Sequence, residues 1–539
     1  MNKKILNVFL ILSIILTLST TSNLFAEGTN RVNMGYLYFG DPKDYVNIIK
    51  STNNSVNIIS PSYFDIDENG SLKITSKLEV SFIEEMHKEG KKVVPFLSNH
   101  WNRAIGQKAL INKEELVNDI VKAIDKYNLD GINVNIENLS HTDKDNHTAF
   151  IKLLREKLPK EKQVSVAVAA NPKNLKIGWH GSYDYKNLAI YSDYLMLMAY
   201  DESWEGSNSG PVASIGFVEQ SIQQILSQGV SKDKVVLGIP FYGRIWKSDG
   251  TFNGRGVSNN QIDNLIKKYN GKVIFDTKNQ SPKGTISIPK GEEITVGYNT
   301  TLNEGNYTVW FENERSIKEK LKLVQKYDLK GTGSWSIGQE SKNTWDYFDL
   351  WLNSKYFTDT QNHWSEQHVF SMVNKGWMVG TSANQFSPDK SLTRAEAATI
   401  IVRALDLRLE AEKNSISTSY KDVPKSHWAE EYIDIISYHG LMTGVSSNDF
   451  QPDKPLTREQ MATILTRIFE KEDNNSSEKL GIPYQYKDVN PQLWSYKYIV
   501  FASERGLFSG YEDGTFKPIK QISRAEMATL MDRLSNQLN

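Results

Sequence analysis

The sequence predicts an α/β protein: a (β/α)8 TIM barrel with a small α+β insertion, followed by three mainly helical repeats. Three observations predict it. Between Arg31 and Lys355, β-rich runs alternate with amphipathic helical stretches, as parallel strands joined by crossover helices do. The β-runs number eight, the count a closed barrel needs. After Tyr356 the character changes, and one motif recurs three times at matching offsets.

The predicted strands are Val32–Phe39, Val56–Ser60, Lys92–Leu97, Gly131–Ile136, Val164–Ala169, Tyr194–Met198, Val235–Ile239 and Gly331–Trp335. Between them, Phe150, Leu153, Leu154 and Leu158 share one helical face, and Ile317, Leu321, Leu323, Val324 and Tyr327 share another. Arg244 to Trp310, rich in Gly, Asn and Lys, reads as an inserted lobe after the seventh strand, within a barrel of residues 27–355. A doubly wound open sheet is the competing fold, but no glycine-rich phosphate loop follows the first strand.

The repeats occupy residues 356–408, 419–470 and 484–535, with polar linkers around Glu410–Ser419 and Lys471–Glu478. Trp364, Trp428 and Trp494 lie 64 and 66 residues apart, as do Arg394, Arg458 and Arg524. In each copy a Thr or Ser precedes the Arg and opens an apolar-periodic helix, a good N-cap, with Glu396 or Glu526 in the first turn. An Arg at the positive end of a helix is electrostatically misplaced. Three such choices predict that it meets an anion there, helped by free backbone N–H groups.

Lys3 and Lys4, the apolar run Val8 to Leu18 and Leu24-Phe25-Ala26 read as a secretory signal over residues 1–26, with an uncleaved anchor as the alternative. No later stretch has the ~20 apolar residues a spanning helix needs. The chain has no Cys, which excludes disulfides, thiol catalysis and a lipid-modified cysteine. Its 63 basic and 64 acidic residues nearly cancel, so no electrostatic case for nucleic acid exists.

The richest string is Asp130-Gly131-Ile132-Asn133-Val134-Asn135-Ile136-Glu137. Side chains alternate along a strand, so Asn133, Asn135 and Glu137 point one way, into the barrel, with Glu137 at the C-terminal end where barrel active sites lie. Such a polar row is costly unless it serves a site or forms a hydrogen-bonded layer.

This string resembles the fourth-strand signature of glycoside hydrolase family 18, DGxxxDxE. Met198-Ala199-Tyr200-Asp201, Leu237 to Arg244 and Gly333-Ser334-Trp335 resemble its sixth, seventh and eighth strands. The likeness spans Val32 to Trp351 and is greatest to the branch acting on spore cortex or cell-wall peptidoglycan. It implies a glycan substrate carrying N-acetyl groups, no cofactor, and retaining hydrolysis in which the substrate's 2-acetamido oxygen is the nucleophile. Glu137 would be the acid and base, Tyr200 would hold the acetamido group with Asp201 close by, and Trp335 would stack beneath the sugar. Asn133, Met198, Tyr242 and Arg244 would complete substrate binding. Asn135 departs from the family, where an Asp orients the acetamido N–H and offsets the oxazolinium charge. Losing such a contact costs about 10²–10³ in turnover, so a slower hydrolase or one tuned to an unusual substrate is expected. A non-catalytic carbohydrate-binding protein and a surface-layer structural protein are the alternatives.

The repeats resemble S-layer homology modules through their TRAE-like motifs, Thr393–Glu396, Thr457–Gln460 and Ser523–Glu526. The resemblance implies a three-fold pseudo-trimer binding a pyruvylated secondary cell-wall polymer, at the surface of a Gram-positive-type bacterium. Arg394, Arg458 and Arg524 would contact the acidic sugar. Asp359, Asp422 and Asp488 would support them, and Trp364, Trp428 and Trp494 would line the grooves or pack beneath. The second copy, with Glu459-Gln460, departs from the motif and is expected to be the least certain site.

Asp65 to Gly70 mimics a calcium loop, but Ser76 stands at the twelfth position, so a turn at Asn69-Gly70 is expected. Nine scattered His and no Cys give no metal spacing. His100 and Trp101 follow the third strand, where substrate contact and loop packing are both open.

Overall fold

The computed structural model describes residues 31–297, 300–354, 356–361, 363–382, 385–408, 420–472 and 486–537. The signal segment and the first linker lie outside them; the helix Arg458–Glu472 runs into the second. The chain divides at Ser354 into two compact units.

In the first unit eight parallel strands close a ring. The first, Val32–Leu37, pairs with the eighth, Gly331–Trp335, and with the second, Ile58–Pro61. Strands four to seven, Gly131–Asn135, Gln163–Ala169, Tyr194–Met198 and Val235–Pro240, pair in sequence, and the seventh pairs with the eighth. Strand three, expected as one run, is two pieces. Lys92–Val93 pairs with strand two, and Phe96–Ser98 pairs with strand four and with a hairpin of Phe64–Ile66 and Leu72–Ile74. The break falls at Pro95, which has no N–H to give a ladder. Single bonds on either side keep the ring closed: Val94 N–H donates to Ile59 O (2.8 Å) and Asn133 N–H to Pro95 O (2.9 Å).

The barrel is filled by Met34, Tyr36, Phe96, Tyr194, Met196 and Val236, all essentially inaccessible to solvent. At its base, side-chain oxygens bind the N–H of adjacent strands: Asn57 Oδ1 to Asn33 (3.0 Å), Asp130 Oδ2 to Val93 (2.7 Å) and Asp193 Oδ2 to Val164 (2.7 Å). The Asp of the Asp130-Gly131 pair is thus a register clamp. Gly131 has φ +149°, and a Cβ there would lie 2.1 Å from Gln163 O.

The insertion is a five-stranded antiparallel sheet of Tyr242–Lys247, Asn253–Ser258, Lys272–Asp276, Ser281–Val296 and Thr300–Trp310, with the helix Asn259–Lys268. It begins at Tyr242, two residues before the expected start.

Among the described residues each repeat of the second unit carries a pair of helices: Glu366–Asn374 and Arg394–Ala404, Glu430–Tyr438 and Arg458–Glu472, Tyr496–Glu504 and Arg524–Ser535. The second helix of each repeat packs on the first helix of the next, and the third repeat closes on the first. At the centre, Leu392, Leu456 and Ile522 form a cycle: Leu392 N–H donates to Ile522 O, Ile522 N–H to Leu456 O and Leu456 N–H to Leu392 O, each 2.9 Å. All three side chains are fully buried. Among the described residues no helix is long and apolar enough to cross a membrane.

Gly131→Ala forces its methyl into the backbone of strand five and should destabilise the barrel by about 2–4 kcal/mol. The urea midpoint of the barrel's unfolding checks this; an unchanged midpoint would show that the strand entry relaxes freely.

Candidate active site

Strand four delivers its polar row at three depths. Asn133 is fully buried, accepts from Tyr36 Oη (2.9 Å) and donates to Ser165 Oγ (2.9 Å). Both arms of its amide are satisfied inside the barrel. The expectation that it binds substrate is therefore corrected: Asn133 is a hydrogen-bonded layer beneath the site.

One layer higher, Asn135 donates from Nδ2 to Glu137 Oε1 (2.9 Å), while its Oδ1 is buried and has no partner. When Glu137 is ionised its carboxylate can only accept, and the amide must then lie this way round. Glu137 is gripped through its backbone: its N–H donates to Asn99 Oδ1 (2.9 Å), and Asn99 Nδ2 donates to Glu137 O (2.9 Å). Although Glu137 keeps part of its surface open, burial pushes its carboxyl up from 4.5 to about 7; the Asn135 hydrogen bond opposes this and the charge of Asp201 adds to it. An acid titrating near neutrality suits proton transfer to and from a substrate.

Tyr200 follows strand six, and its hydroxyl makes no hydrogen bond among the described residues. Burial first, then Tyr36, Tyr242, Glu137 and Asp201, hold it well above the ordinary tyrosine range, so it stays a neutral donor. Asp201 has φ +58°, and its Oδ1 accepts from Tyr242 Oη (2.6 Å), Arg244 Nε (2.9 Å) and Arg244 Nη2 (2.7 Å). Arg244 Nη1 donates to Gly254 O (2.8 Å), tying the insertion to this cluster. Trp335 ends strand eight with its ring 5.5 Å from Tyr38 and 5.1 Å from Tyr36. Met198, partly buried, packs on the same aromatic interior. Asp201, Tyr242, Arg244, Val257 and Trp335 line a hollow of about 210 Å³. A larger hollow on the insertion, about 350 Å³, has no carboxylate in its lining.

Sequence reasoning missed Asn99, whose only signal was its place at the end of strand three. It also missed Trp179, whose ring packs 5.2 Å from that of half-exposed Trp101. His100 Nε2 is engaged by Asp65 Oδ1 (2.9 Å). Asp67 Oδ1 accepts from the N–H of Asn69 and Ser71, closing the turn that mimicked a calcium loop.

In the repeats three expectations change. The TRAE-type helices do not start with free N–H groups: Arg394 N–H donates to Lys454 O, Arg458 N–H to Lys520 O and Arg524 N–H to Lys390 O. Asp359, Asp422 and Asp488 spend both carboxylate oxygens on backbone N–H groups, those of Phe386 and Ser387, Phe450 and Gln451, and Phe516 and Lys517. They hold loops. The arginines reach across to those loops, Arg394 Nε to Phe450 O, Arg458 Nε to Phe516 O and Arg524 Nε to Phe386 O, each 2.8 Å. Trp364, Trp428 and Trp494 are 61%, 59% and 57% exposed, so they do not pack beneath the grooves.

Just beyond strand four stands a carboxyl that burial pushes up toward neutrality, and strand eight ends in Trp335. Residues 35–340 match the model for glycosyl hydrolases family 18, and the chain belongs to that family. Residues 356–398, 419–462 and 485–528 match the S-layer homology domain, which indicates anchoring at the cell surface. The chain is 26% identical over 354 residues to the uncharacterized glycosylase YvbX of Bacillus subtilis, covering 63% of this chain and 96% of that protein. It is 25% identical over 294 residues to the cortical fragment-lytic enzyme of Bacillus subtilis, covering 52% of this chain and 64% of that protein. In fold it is similar to the spore cortex-lytic enzyme SleL of Bacillus cereus, with TM-score 0.52 and 22% identity over 60% of this chain and 74% of that one.

Because the folded barrel raises Glu137 from 4.5 to about 7, it favours the protonated carboxyl. That contribution is full below pH 4.5 and lost as pH rises through about 7, a loss of about 3 kcal/mol. Glu137→Gln should therefore stabilise the barrel by about this amount at pH 9 and barely at pH 4, read from urea midpoints. Equal effects at the two pH values would contradict the shift.

Proposed function

We propose that the protein cleaves β-linked N-acetylglucosamine-containing glycans, of peptidoglycan or chitin-like type, by a substrate-assisted retaining mechanism while its repeats hold it to the wall. The observation carrying this reading is the partnerless, buried Oδ1 of Asn135 beside Glu137. It offers an acceptor for an acetamido N–H, and burying an acceptor unpaired is costly unless a ligand completes it.

In this mechanism Glu137 gives its proton to the glycosidic oxygen as the bond to the anomeric carbon breaks. The substrate's acetamido oxygen attacks that carbon, forming an oxazolinium ion. Glu137, now a carboxylate, takes a proton from water as the water opens the ring. Asn135 Nδ2 steadies the carboxylate while Oδ1 orients the acetamido group. Tyr200 donates its free hydroxyl to the acetamido oxygen, and Trp335 supports the sugar. Tyr242 and Arg244 act chiefly by fixing Asp201, whose second oxygen stays open to the substrate. The names of the cortical fragment-lytic and spore cortex-lytic relatives favour a wall glycan. The repeats then bind the secondary cell-wall polymer through its pyruvyl acid, after export through the N-terminal signal. The neutral Asn135 supports a second reading, a wall-bound lectin with weakened chemistry.

Incubation with peptidoglycan and chito-oligosaccharides should release reducing ends terminating in N-acetylglucosamine. Glu137→Gln should leave less than about a hundredth of that activity; glycan binding without products in wild type would establish the lectin instead. Asn135→Asp should raise turnover about 10- to 100-fold by restoring a charge opposite the oxazolinium. A falling rate would mean the site is built around the amide.

A further inference from the structure

The three inter-repeat grooves share a frame but differ in charge. In two of them the arginine meets a glutamate from the facing helix start: Arg458 Nη1 lies 3.2 Å from Glu526 Oε1, and Arg524 Nη1 lies 3.7 Å from Glu396 Oε1. The groove of Arg458 is further closed by Tyr511 Oη (2.9 Å) and Lys520 Nζ (3.1 Å) on the same Glu526 oxygen. By the same rotation Arg394 should meet position 460, which is Gln. Gln460 uses Oε1 to accept from Thr457 N–H (3.0 Å), as Glu396 and Glu526 use Oε2 at their own caps. Its remaining arm is Nε2, a donor.

The acid of this helix has moved one residue forward. Glu459 accepts from Ser495 Oγ (2.7 Å) of the third repeat, away from Arg394. Arg394 is only 5% exposed; Nε and Nη2 donate to Phe450 O and Thr443 O (each 2.8 Å), and Nη1 has no partner among the described residues. That arm keeps some solvent access, so it is open to an incoming acceptor.

We propose that the groove between the first and second repeats is the high-affinity acid site, where Arg394 Nη1 and Gln460 Nε2 together bind one carboxylate of a pyruvyl-ketal sugar. The other two grooves are compensated internally by Glu396 and Glu526. The departure at Gln460, which made the second copy the least certain site in the sequence, becomes the feature that leaves Arg394 uncompensated. The inference rests on the reading of the repeats as a wall-polymer anchor.

The full-length protein is titrated calorimetrically with a hexosamine glycoside bearing a pyruvyl ketal, with the ketal-free glycoside and inorganic phosphate as separate arms. One tight site for the ketal glycoside alone is expected. Gln460→Glu, which restores the residue of the other copies and keeps the cap, should weaken it about ten-fold or more. Glu396→Gln, the reciprocal change, should add a second site by freeing Arg524. Three equal sites, or unchanged affinity in Gln460→Glu, would overturn the ranking and leave the anchor reading intact. Preference for phosphate would overturn the ligand assignment. No binding by wild type to any arm, with wall fragments also unbound, would sink the anchor reading and this inference together.

Discussion

A parallel ring must satisfy the backbone on both sides of every strand, and this ring is closed through a strand interrupted by Pro95. Strand two takes one piece of strand three and strand four takes the other, so the second piece is free to lean toward strand four. At its end stands Asn99, which clasps the backbone of Glu137 from both sides. The carboxyl of Glu137 is thus aimed by a neighbouring strand, and its own strand supplies only height. A group that must exchange protons with a substrate benefits from such a rigid mount.

Around that mount the polar side chains divide by depth. Asn133 is sealed and satisfied, Asn135 is half satisfied, and Glu137 reaches the opening. The gradient also sets the carboxyl's proton affinity, because burial acts on Glu137 while the amide of Asn135 adds no negative charge. On the far side, Asp201 gathers Tyr242 and Arg244, so the insertion is fastened to the cleft by the cluster that lines it.

Much of this was legible in the sequence. Alternating faces placed Glu137, and two strands, Tyr194–Met198 and Gly331–Trp335, appear with the bounds read from hydrophobic runs. The same alternation could not tell Asn133 from Asn135, because a strand's period gives direction and not depth. Asn99 was invisible because its bond spans 38 residues and obeys no local pattern. In the repeats, helix starts and caps were local and readable. The partner of each arginine lies in another copy, so the meaning of Gln460 needed the rotation that relates the copies.

The central cycle of Leu392, Leu456 and Ile522 fixes how this part of the chain can evolve. Each residue gives one N–H and receives one at its carbonyl, and the third returns to the first. A two-copy chain leaves an open donor and acceptor in the middle, and a fourth copy finds no vacancy. Copy number is therefore inherited as a single trait, counted in threes. Divergence is left to individual side chains on the rim, where one duplicate can specialise while its siblings keep the frame.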